Sequence, residues 1–133
     1  MDNAPYQWNA GGWFGSQLGA SCWMLIAGLL LLPIDAGVAV ATLGIFAAVN
    51  VAGTAMWMQR ERLAPIPAIQ MLIVLVGAAG ALATYVMDSA GRFESLGTGP
   101  GTSARSMYII LALMVAGLLL MFHLIGRGIS RTD

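Results

Sequence analysis

Four apolar runs of about twenty residues each, at 14–34, 37–58, 66–87 and 107–126, fill most of this 133-residue chain. A helix rises about 1.5 Å per residue, so roughly 20 apolar residues cover the roughly 30 Å hydrocarbon layer of a bilayer. Inside lipid every backbone N–H and C=O must find a partner within the protein, which leaves helices or closed barrels. Barrel strands would alternate apolar and polar residues over about ten positions. The stretch from Met24 to Leu32 is instead apolar without a break. The fold class expected is therefore all-α: a polytopic membrane protein of four transmembrane helices in an antiparallel bundle, forming one membrane domain over 1–133.

Charged residues are only 9% of the chain, against about a quarter in soluble domains, which excludes a water-soluble fold. The six basic residues are all arginine and the formal net charge is zero. No basic run is present, so nucleic acid is not an expected partner. A single cysteine, Cys22, cannot form an internal disulfide. The segment Met1–Trp8 carries neither Lys nor Arg, unlike the basic start of a signal peptide, so the first run reads as a retained helix.

The connections set the topology. Pro33 discourages the first helix from continuing and Asp35 can cap the second, which makes a tight antiparallel hairpin. Gln59–Pro67 forms a second short turn, whose prolines suit the opening of the third helix. The third connection, 88–106, contains Gly97-Thr98-Gly99-Pro100-Gly101 and reads as a flexible external loop. With both termini inside, Arg60, Arg62, Arg127 and Arg131 lie in the cytoplasm, and Arg92 and Arg105 lie outside; the positive-inside rule favours that arrangement. A bacterial inner membrane is the expected location.

Small residues form stripes on two helices: Gly12, Gly15 and Gly19 on the first, and Gly77, Gly80, Ala81 and Thr84 on the third. Lipid supplies little hydrophobic drive between helices, so small residues act by letting backbones approach. Packing within the bundle and a seam between chains are both open at this point. Polar residues fall in the half of the bundle nearest the termini: Gln17, Asn50, Thr54, Gln70 and His123. An amide or imidazole facing lipid is unfavourable, so these side chains are expected to turn inward as an intramembrane polar cluster.

No membrane-embedded carboxylate, nucleophile–base order or phosphate-cradling loop is present, so catalysis is not expected, nor is a cofactor or metal. In length and span number the chain resembles small multidrug-resistance transporters and small fluoride channels. It lacks the acidic first-helix residue of the former and the phenylalanine/threonine third-helix motif of the latter, so no family is assigned. The leading expectation is an accessory or assembly subunit acting through its Gly/Ala faces, with lipids and either itself or a larger membrane complex as partners. The alternative is a homo-oligomeric channel or small-solute transporter with a neutral polar path. A third reading, a haem-binding anchor through His123, would require a histidine from a second chain.

Overall fold

The computed structural model describes residues 7–96 and 103–130, with the side chains of 129 and 130 left aside. Four helices follow one another: α1 (Ala10–Leu31), α2 (Ala36–Met58), α3 (Pro65–Ser89) and α4 (Ala104–Ser130). All four are long and apolar enough to cross a membrane. The chain is a multi-pass, all-helical bundle.

The helix ends follow from local chemistry. Asn9 sits in extended backbone and its Oδ1 accepts the Gly12 N–H at 2.9 Å, which starts α1 four residues before the apolar run. Pro33 cannot donate within a helix, so α1 closes at Leu31, and the Ile34 and Asp35 N–H groups both donate to the Leu31 carbonyl. Asp35 then caps α2 by accepting the Val38 N–H at 3.2 Å. Pro65 occupies the first position of α3, where a missing donor costs nothing.

The far end of α3 shows the largest departure from the sequence reading. Gly91 adopts φ +66°, the left-handed region that suits glycine. The Arg92 N–H donates to the Met87 carbonyl and the Gly91 N–H to that of Asp88, a Schellman closure. The chain then makes a single 3₁₀ turn, Phe93–Leu96, with Phe93 buried against the ends of α1 and α3. The expected loop 88–106 is thus partly built structure, because α3 runs on to Ser89 and α4 starts at Ala104. Its glycine-rich part, 97–102, lies outside the described residues.

Packing is uneven. α1 lies along α2, α2 against α3, and α1 more lightly against α3, while α4 docks mainly on α3. Met24, Leu31, Ala39, Leu72, Ala83 and Met87 are almost wholly buried and form the spine of the core. Close approach depends on glycine at defined points. A methyl at Gly28 would come within 2.6 Å of Leu43, and one at Gly77 would overlap Val115. Gly80 accommodates Leu111 and Trp23, and Thr84 satisfies its buried hydroxyl by donating to the Gly80 carbonyl at 2.8 Å.

Candidate functional site

The polar residues of the membrane region occupy two separate places. The first is a seam between α1 and α2. Gln17, 2% exposed, donates through Nε2 to the Asn50 carbonyl at 2.8 Å and to Asn50 Oδ1 at 3.1 Å. Asn50 Nδ2 donates to Ser21 Oγ at 3.1 Å and back to the Phe46 carbonyl at 2.8 Å. Ser21 donates to the Gln17 carbonyl at 2.7 Å. One turn nearer the termini, Trp13 Nε1 donates to the Gly53 carbonyl at 3.1 Å. Four of these bonds cross between the helices, and at about 0.6 kcal/mol each they contribute about 2 kcal/mol. Their larger effect is on register, because any slide of α1 along α2 would strand several polar groups in lipid.

Gln17 Oε1 makes no hydrogen bond. It faces the Gly53 backbone, where a methyl would overlap the carboxamide and lie 2.6 Å from its carbon. Gly53 therefore holds open the space into which Gln17 fits. Three residues of this seam, Ser21, Gly53 and Trp13 as a donor, are invisible to a search for strongly polar side chains. The signal for them is that Gln17 and Ser21, four apart, share one helical face, as do Asn50 and Gly53, three apart.

The second place is an outward groove between α3 and α4, lined in part by Gln70 and His123. Thr54 joins neither group and is exposed on α2. The five polar residues are thus not brought to one point. Gln17 and Asn50 bond directly, Gln70 and His123 share a different surface, and Thr54 stands apart.

The small residues also divide. Gly77, Gly80 and Thr84 pack inside the chain, and Ala81 is half-buried beside α4. Gly12, Gly15 and Gly19 do not pack against another helix: nothing lies within 4 Å of a methyl built at Gly15 or Gly19, and Gly12 meets only its own cap, Asn9. A longer stripe, not anticipated from the sequence, runs down the back of α2. Gly37, Ala41, Gly44, Ala48, Val51 and Ala55 are all exposed and alternate by four and three residues over about 27 Å of helix. The exposed face of α4 mixes large residues, among them Ile109, Ile110, Leu113, Leu120 and Leu124, with the small Ala112, Ala116 and Gly117.

Both ends of the bundle are fastened. At the terminal end Trp8, Trp13 and Trp57 cluster with ring centroids 5.0–6.2 Å apart, Phe14 meets Trp57 in a tilted contact at 5.4 Å, and Arg60 sits 5.1 Å over the Trp57 ring. Such rings suit the membrane–water boundary, with apolar bodies and a polar edge. At the other end Arg92 Nε donates to Asp35 Oδ2 at 3.1 Å, joining the α1–α2 turn to the segment after α3. The Val38 amide and then the Arg92 guanidinium hold the Asp35 carboxyl below its ordinary value of 3.8. No group of three or more His, Cys, Asp or Glu is placed to hold a metal among the described residues.

No protein-family model matches the chain, and no characterised protein or solved structure is detectably similar to it. Its function has to be argued from the arrangement of its own residues.

Proposed function

We propose that this chain is a membrane-embedded assembly subunit that joins a second copy or a larger membrane protein through the outward faces of α1 and α2. In this reading it lies in a bacterial inner membrane with both termini cytoplasmic. The observation that carries it is the line of small residues exposed along α2, spaced by four and three, with Gly15 and Gly19 outward on α1. α4 presents mostly large aliphatic side chains to the outside, with Ala112, Ala116 and Gly117 between them. α2 presents Gly37, Ala41, Gly44, Ala48 and Ala55 along one line, and α1 presents Gly15 and Gly19 beside larger residues such as Leu18 and Ile26. Glycine costs about 1 kcal/mol relative to alanine inside a helix. At Gly15, Gly19 and Gly44 no atom of the chain fills the space this creates. A partner backbone approaching closely would use that space.

The conduit reading has less behind it. The residues that would line a path are split between a closed α1/α2 seam and an outer α3/α4 groove, which supports a structural use of Gln17 and Asn50. The test is the mass of the intact particle in native lipid, with Gly44→Leu/Ala48→Leu as the perturbation. Wild type should run as a multi-chain particle, and the variant should fall to the 13.9 kDa of one chain with unchanged helicity. A wild-type particle of one chain, or an unchanged mass in the variant, would overturn the proposal.

A further inference from the structure

Gln70 and His123 differ from every other strongly polar side chain within the spans. Gln17 and Asn50 bond to each other, with only Gln17 Oε1 left over, but the Gln70 carboxamide and His123 imidazole make no hydrogen bond within the described chain, although both line one groove. A polar group in hydrocarbon without a partner is costly, so a groove that gathers two of them favours an occupant carrying acceptors. The groove has a volume of about 840 Å³ and apolar walls that include Val74, Ala78 and Leu119. It runs along α3 from Pro67 to Ala78, about 16 Å at 1.5 Å per residue. That matches the depth of a single leaflet, half of the roughly 30 Å hydrocarbon layer. A smaller hollow past Gly77 and Ala81 continues the same surface.

The polar end of the groove lies at the terminal end of the bundle. Arg127 follows His123 by one turn on the same flank of α4, exposed and without a carboxylate partner among the described residues. Arg62 lies in the α2–α3 turn at that end; Glu61 is the only acidic residue described there. We propose that the α3/α4 groove is a site for one anionic phospholipid drawn from the leaflet at this end. Its acyl chain lies along Val74, Ala78 and Leu119. Its ester carbonyl and phosphate oxygens accept from the Gln70 amide and the His123 ring N–H, and the phosphate charge is met by Arg127. A protein helix fits the walls less well, since Met71, Leu75 and Leu120 there are large and flexible rather than small. This site is independent of the α1/α2 faces.

The experiment compares lipid retention by the purified protein exchanged into equal mixtures of phosphatidylglycerol and phosphatidylcholine, read by native mass spectrometry. Wild type should keep about one phosphatidylglycerol per chain, at least fivefold over phosphatidylcholine. Arg127→Gln, at an exposed position, should bring that ratio close to one. Ala78→Phe, which fills the groove from an exposed position, should lose the retained lipid of either kind. Equal retention of the two lipids by wild type, or unchanged retention in both variants, overturns the proposal. So does disulfide formation between copies at Ala78→Cys in a Cys22→Ser background with no lipid retained, which would assign the groove to a helix. None of these readouts depends on the particle mass that tests the assembly reading.

Discussion

The seam between α1 and α2 makes a quantitative prediction through Gly53 and Gln17. A methyl placed at Gly53 would sit 2.6 Å from the carboxamide carbon of Gln17, about 1 Å inside ordinary contact. The carboxamide can retreat only by giving up the two bonds from Nε2 to Asn50, at 2.8 and 3.1 Å. Interhelical bonds in membranes average about 0.6 kcal/mol with a maximum near 1.7, so their loss costs about 1–3 kcal/mol. Alanine's better helix propensity returns up to about 1 kcal/mol. Gly53→Ala should therefore destabilise the protein by about 1–2 kcal/mol. Gln17→Ala should cost a similar amount, because it removes the same two bonds and leaves Asn50 Oδ1 without a donor. In the Gln17→Ala background the methyl at 53 enters vacated space, so the double variant should be no less stable than Gln17→Ala alone. Reversible unfolding in mixed micelles, run as a double-mutant cycle, should give a coupling of about 2 kcal/mol in the compensating direction. Additivity within about 0.5 kcal/mol would refute this account of the seam.

Two further predictions concern the fastenings of the bundle. Asp35 has a depressed pKa in the folded chain, so its cap and ion pair contribute fully above the unfolded value of 3.8 and are lost as pH falls through the folded one. Thermal stability should fall on acidification below about pH 4, and Asp35→Asn should lower stability at neutral pH while flattening that acid limb. An acid limb of the same steepness in Asp35→Asn would rule the pair out as its cause. On the α3/α4 side, Gly77→Val forces a side chain into Val115 and should cost about 1–3 kcal/mol. Adding Val115→Ala should recover most of that loss, and failure to recover it would mean that α4 docks elsewhere.

The four helices were legible from the sequence because a run of twenty apolar residues has few other uses. Their ends were less so. Asn9 caps α1 before the apolar run begins, and Gly91 closes α3 through a backbone conformation that hydropathy does not register. The ordered turn around Phe93 was hidden for the same reason: one buried aromatic ring, not composition, anchors it. The polar residues were visible as types, but their pairing depends on which helices are neighbours. α1 beside α2 brings Gln17 to Asn50, whereas Gln70 and His123 line one groove between α3 and α4. The glycines show the same limit. Gly15 and Gly77 look alike in sequence, yet one faces outward with nothing near it and the other receives Val115. The α2 stripe went unread in the sequence, where its small residues are diluted among apolar ones, and only the exposure of that face separates it from an internal packing surface.

Assembly through α2 is tested most directly by a cysteine scan along that helix in native membranes, with Cys22→Ser removing the natural thiol. Oxidation should link the chain to a second polypeptide from positions 41, 44, 48, 51 and 55, with four–three periodicity, and far less from 40, 47 and 54. Links that ignore this periodicity, or none at any position while the protein remains folded, would contradict the account.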